Sequence, residues 1–144
     1  MGENFKEPTA IPNPTVRNAV VKSSYKNDIL TLGYIDDTTK QKLYKEALAY
    51  VYPTRYEGFG IPVLEAMLLE CPIIVYKNSS IPEVGGEYAL YANDWTGIKK
   101  QVENLLGETK QSRQERAKAA KKHAEQFTWD KTAQVIYQEI TNLK

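Results

Sequence analysis

Apolar residues along the chain switch repeatedly between helical spacing and short continuous runs. Residues 1–14, MGENFKEPTAIPNP, are polar and carry three prolines, so they are expected to be extended or disordered. After Thr15, Val16, Ala19, Val20 and Ser23 recur at helical spacing and predict a short amphipathic helix. The run ILTLGYI, residues 29–35, is rich in β-formers, contains Gly33 and reads as a strand. Asp36 or Asp37 then caps a helix over DTTKQKLYKEALA, with Leu43, Ala47 and Leu48 facing inward.

The same alternation follows. AYVYP, residues 49–53, predicts a short strand, and IPVLEAMLLE a helix with Pro62 in its first turn, where the missing N–H costs nothing. CPIIVY, residues 71–76, is continuously apolar, as expected of a parallel strand buried on both faces. A loop, KNSSIPEVGGE, with Pro82, Gly85 and Gly86 as turn formers, leads to a weaker strand, YALYA. Three helices close the chain: WTGIKKQVENLL, QERAKAAKKHAEQ and DKTAQVIYQEITNL, the last beginning near Trp129 and seated by packing of Phe127 and Trp129. Strands alternating with helices in this way specify an α/β domain, with a Rossmann-like parallel sheet flanked by helices and no internal repeat.

Composition narrows the functional classes. The 144 residues amount to one domain, and 42% hydrophobic with 26% charged is a soluble globular balance. Nineteen basic residues against eighteen acidic give a formal charge of +1, which argues against a nucleic-acid partner. The basic residues between Lys110 and Lys122 alternate with Gln, Glu and Ala, the pattern of a solvated helix face. Cys71 has no second cysteine to pair with and reads as a small buried thiol in a reducing compartment. His123 reads as a surface residue, with no cysteine or second histidine to build a metal site. No apolar run approaches the roughly 18 residues that span a bilayer, and the N-terminus lacks a signal peptide's apolar core, so a cytoplasmic location is expected.

The chemistry concentrates in PTRYEGFGIPVLEAM, residues 53–67. In open α/β sheets, ligands sit where strands run into helices, and this stretch is such a junction. Gly58 and Gly60 let the backbone turn and approach a ligand closely. The helix beginning at Ile61 or Pro62 aims its free N–H groups and positive dipole end at the same place, which suits a phosphate. Glu57 and Glu65 flank the turn. Carboxylates accept hydrogen bonds from vicinal hydroxyls, so the pair fits the polyol groups on either side of a diphosphate. Equally, Glu57 fits an exposed loop charge and Glu65 a helix-face residue. Ser79, Ser80 and Glu83, in the next loop, either line the cleft or cap a helix, and Arg55 faces either phosphate or solvent. The scattered tyrosines receive no role.

The string EGFGIPVLE reproduces the E-x7-E motif of retaining glycosyltransferases with the GT-B fold, family 4, and the flanks LGYIDD, AYVYPTRYEGFG, CPIIVYKNSSIPEVGGEYALY and FTWDKTAQVIYQEI match as well. The chain thus resembles the donor-binding C-terminal domain of that family from Ile29 to its end. The resemblance implies that Glu57, the catalytic position, accepts hydrogen bonds from the donor sugar and that Glu65 holds the ribose. Gly58, Phe59, Gly60 and Ile61 would set their amides against sugar and diphosphate, and Gly33 and Tyr34 would line the nucleobase. It further implies a nucleoside diphosphate sugar as donor and a hexose as the group transferred. Configuration would be retained by front-side attack, without metal, cofactor or enzymic nucleophile.

The resemblance also implies what lies outside this sequence. Family members bind the acceptor mainly through an N-terminal Rossmann-like domain. Their C-terminal domain opens with strands that carry an arginine and a lysine for the diphosphate. Arg17, Lys22 and Lys26 fall too late in the order to match those cations, without which the leaving diphosphate lacks its largest electrostatic support. Residues 15–144 are therefore expected to form a partial GT-B C-terminal domain lacking its first strands. Either an N-terminal GT-B half or a homo-oligomer would complete it, and any membrane contact would pass through the absent domain. The isolated chain is expected to fold weakly or to oligomerise, and to bind donor without turnover. A noncatalytic nucleotide-sugar-binding or interaction module is the alternative.

Overall fold

A computed structural model describes residues 11–143 of the chain. The expectation for the N-terminal segment falls largely on residues 1–10, outside the described residues. The chain divides into two units, Met1–Lys42 and Leu43–Lys144.

The first unit contains helix α1, Pro14–Lys22, whose start is fixed by Asn13: its side-chain oxygen accepts from the N–H groups of Thr15 and Val16 at 2.9 and 3.2 Å. Pro14 occupies the first turn. A 3-10 turn, Lys26–Asp28, follows. The predicted strand over residues 29–35 is not formed, because a strand is completed by its neighbour's hydrogen bonds and no ladder partner exists for it among the described residues. Leu30 is 80% exposed, so its β-propensity finds no surface to cover. Helix α2, Asp37–Glu46, is capped by Asp36, whose carboxylate accepts from Thr39 N–H at 2.7 Å.

In the second unit, strands β1, Tyr50–Tyr52, β2, Ile73–Tyr76, and β3, Leu90–Ala92, form a parallel sheet in the order β1-β2-β3. Tyr50 pairs with Ile73 and Ile74 with Leu90. Helix α3, Ile61–Leu68, connects β1 to β2, and helix α4, Ile81–Gly85, connects β2 to β3. The side-chain period of two divides the core between the faces of β2. Ile73 and Val75 join Val63, Met67, Ile81, Val84 and Ala120, whereas Ile74 joins Ala92, Ile98 and Leu105. One face is thus covered by α3, α4 and helix α6, Lys110–Ala124, and the other by helix α5, Trp95–Gly107. This two-sided cover explains the unbroken apolar run of β2.

Three sequence expectations about packing change. Tyr44, not Leu43 or Ala47, is the buried residue of this region: α2 ends at Glu46, and Leu43 and Ala47 are exposed. Gly85 lies inside α4, where a Cβ would come within 2.8 Å of the Ala89 Cβ, and Gly86 terminates the helix with φ 54°. His123 is half-buried on α6, with Nε2 3.0 Å from the Val84 carbonyl and its ring between those of Tyr88 and Phe127. Cys71 is the buried thiol that was expected, its pKa pushed up to about 11 by burial. The basic run does form a solvated face on α6, whose Ala117, Ala120 and Ala124 are turned inward. No helix among the described residues is long and apolar enough to cross a membrane.

Candidate functional site

Two loops leave the carboxyl edge of the sheet side by side: residues 53–60 after β1 and residues 77–80 after β2. Hydrogen bonds join them. The Asn78 side-chain amide donates to the Thr54 carbonyl at 2.8 Å, and Glu57 N–H donates to Ser79 Oγ at 3.0 Å. Ser80 Oγ lies 3.0 Å from the Glu57 carbonyl and 2.9 Å from that of Phe59, so its one hydroxyl hydrogen is shared between them. Ser80 stands at the N-cap of α4 but makes no side-chain cap bond, because its hydroxyl serves the neighbouring loop instead. Ser79 is one of the few non-glycine residues with positive φ, at 43°, a conformation that its surroundings must hold.

Glu57 is fixed at its side chain too. The Tyr52 hydroxyl donates to its Oε1 at 2.6 Å and the Thr54 hydroxyl to the same oxygen at 2.9 Å. These bonds favour the carboxylate, Tyr52 more than Thr54, and hold the Glu57 pKa below its ordinary value. The Tyr52 phenol is correspondingly pushed up to about 12, chiefly because it donates to that carboxylate. Behind Tyr52, the rings of Tyr50 and Tyr52 stack at 5.6 Å, and Tyr44 meets Tyr50 edge-on at 5.1 Å. Burial and then the Tyr44 neighbour raise the Tyr50 pKa, with smaller contributions from Glu65 and Glu57.

Between them the chain makes its turn. Gly60 has φ 104°, a left-handed conformation that L side chains rarely adopt, and a Cβ there would stand 3.0 Å from Ile81 Cδ1. Gly58 is under no such constraint: nothing lies within 4 Å of where its Cβ would be. The fold requires glycine at Gly60, whereas at Gly58 it leaves open space. The N–H groups of Gly58, Phe59, Gly60 and Ile61 have no acceptor among the described residues; the first three precede α3 and the fourth opens it. Glu65 follows on the half-buried side of that helix.

Phe59 is partly exposed, with its ring 5.9 Å from that of Phe127. A groove of about 790 Å³ runs from Phe59, Ile61 and Glu65 along helix α7, Trp129–Asn142, to Val135 and Ile136. Phe127 packs as expected, but Trp129 is 84% exposed and α7 buries none of its residues, so Trp129 does not seat that helix. Gly33 and Tyr34 belong to the first unit, where Gly33 has φ 62° and Tyr34 is exposed. Arg55 is exposed in the first loop, and Glu83 is exposed on α4.

Sequence reasoning left out Tyr52 and Asn78 and held two readings open for Ser79 and Ser80. The available signal was position. Tyr52 is the last residue of its strand before the motif loop, and Asn78 to Ser80 begin the corresponding loop of the next parallel strand.

The chain matches the glycosyl transferases group 1 family over residues 15–123. It is 37% identical over 108 residues to the O-antigen chain mannosyltransferase B of Escherichia coli, an alignment covering 73% of this chain and 28% of that protein. It is 30% identical over 120 residues to the serotype-specific mannosyltransferase WbdA of Escherichia coli, covering 82% and 15%. It is 34% identical over 96 residues to the O-antigen chain mannosyltransferase RfbU of Salmonella typhimurium, covering 63% and 27%. These alignments cover little more than a quarter, or less, of each relative's length.

Proposed function

The chain belongs to the glycosyl transferases group 1 family, and from that premise we propose that residues 53–65 are the donor site for a nucleoside diphosphate hexose, with mannose as the hexose. The observation that carries this reading is the open turn between the two glutamates. Four successive N–H groups, from Gly58 to the first residue of α3, lack an acceptor among the described residues, and the Cβ position of Gly58 is empty. Amides at a helix start suit the diphosphate. Glu57 takes the sugar hydroxyls and Glu65 the ribose. Transfer follows the retaining course of family 4, without metal or enzymic nucleophile, in the cytoplasm. It requires a second domain, carried by an N-terminal half or by another copy, to bring the acceptor hydroxyl.

Titration calorimetry of the chain with GDP-mannose, UDP-glucose, GDP and UDP tests the reading. Saturable binding that is lost in Glu65→Ala and unchanged by EDTA is the expected result. Binding that survives Glu65→Ala, or vanishes with EDTA, contradicts it.

A second reading has its own support. Arg55 is the only cation in residues 53–60, so the loop offers the developing diphosphate charge amides and little else. On that reading the chain is a noncatalytic nucleotide-sugar-binding module. Donor binding without mannosyl transfer to any added acceptor distinguishes it from an enzyme.

A further inference from the structure

We propose that Tyr52 and Thr54 are positioning residues for Glu57, consuming one carboxylate oxygen so that the other, Oε2, is presented to the donor sugar as a fixed hydrogen-bond acceptor. The inference rests on the donor-site reading above and adds to it what holds and orients the sugar-binding carboxylate.

The Glu57 N–H is bound by Ser79, its carbonyl by Ser80, and its Oε1 by both Tyr52 and Thr54. Oε2 alone receives no donor among the described residues. A glutamate with three rotatable side-chain bonds ordinarily pays in entropy for each contact that it makes. Here backbone and side chain are both held before any ligand arrives, so binding need not order them. The two donors are not equal. Thr54 has one hydroxyl hydrogen, and its oxygen also lies 3.1 Å from the Tyr56 carbonyl, so it shares that hydrogen. Tyr52 has the shorter bond and the firmer base, since its ring stacks on Tyr50 and both lie on a strand of the sheet. An acceptor-only oxygen accepts from a sugar hydroxyl and repels phosphate, which keeps the diphosphate at the amide end of the turn.

The test compares Kd for GDP-mannose with Kd for GDP, because their ratio isolates the grip on the sugar. It uses the full chain, Tyr52→Phe, Thr54→Val and Glu57→Gln, together with a ¹³C-carboxyl titration of Glu57 in the absence of ligand. Tyr52→Phe keeps the ring stack and removes only the hydroxyl. It should lower the preference for GDP-mannose about 3- to 10-fold, leave Kd for GDP unchanged, and raise the Glu57 pKa toward its ordinary value. Thr54→Val should do the same to a smaller extent. Glu57→Gln should abolish the preference, because a glutamine oxygen held by Tyr52 places its NH₂ where the acceptor stood.

If Glu57→Gln abolishes the preference while Tyr52→Phe retains it in full, the positioning role is overturned and the donor site stands. An unmoved Glu57 pKa in Tyr52→Phe also overturns it. If the unmodified chain does not distinguish GDP-mannose from GDP, the reading of Glu57 as the sugar grip fails, and the inference fails with it.

Discussion

Residues 53–60 and residues 29–36 both lie within the string that resembles a donor site, yet they are held in opposite ways. The first loop leaves a strand that is paired with β2, and it is bound by Asn78, Ser79 and Ser80 from the neighbouring loop. The second forms no ladder among the described residues, and Leu30, Leu32 and Tyr34 are exposed along it. The difference is made by partners distant in sequence, which suggests that the rigidity of a site on this fold comes from the parallel strand next door.

The largest effect expected from disturbing this contrast comes from the strand beneath the first loop. Ile74 is fully buried at the centre of the sheet, and Ile74→Ala should cost about 2–5 kcal/mol in chemical denaturation. A loss well below that range would mean that the sheet packs more loosely than the geometry indicates. Ser80→Ala comes next, because it releases the carbonyls of Glu57 and Phe59 without removing a helix cap. It should lower stability by about 1–2 kcal/mol and speed hydrogen exchange in the Glu57 to Gly60 loop.

Legibility followed the same division. The elements of the second unit other than α4 are readable because they carry their own signals: the apolar run of β2, Pro62 at the start of α3, and a helix beginning at Trp129. The role proposed for Glu57 is legible only through the whole motif string. Its supports are not, since Tyr52, Asn78, Ser79 and Ser80 become neighbours of the motif only through sheet register. The expected strand over residues 29–35 fails for the complementary reason, as its sequence says strand and no ladder partner for it exists among the described residues. The five residues of α4, IPEVG, are too few to show helical periodicity, so the sequence predicts a loop there.

A smaller effect is expected from pH. The folded Glu57 pKa is depressed by Tyr52 and Thr54, so its contribution to stability is complete above the unfolded carboxylate value and is lost as pH falls through the folded one. Thermal melts over that acidic window should show this loss in the parent chain, and a shallower one in Tyr52→Phe. An unchanged profile in the variant would separate the hydrogen bond from the stability. The smallest effect belongs to the segment that forms no ladder among the described residues: Leu30→Ala should change stability by less than about 0.5 kcal/mol, because that side chain is already in water. A substantial loss would show that residues 29–36 find a partner in solution and would erase the contrast.

The central claim is that the turn between Glu57 and Glu65 binds a nucleoside diphosphate sugar. Amide chemical shifts of ¹⁵N-labelled chain, followed as GDP-mannose is added, test it most directly. The account predicts saturable shifts centred on Gly58, Phe59, Gly60 and Ile61 that disappear in Glu65→Ala. Shifts centred elsewhere, or none at millimolar ligand, would contradict it.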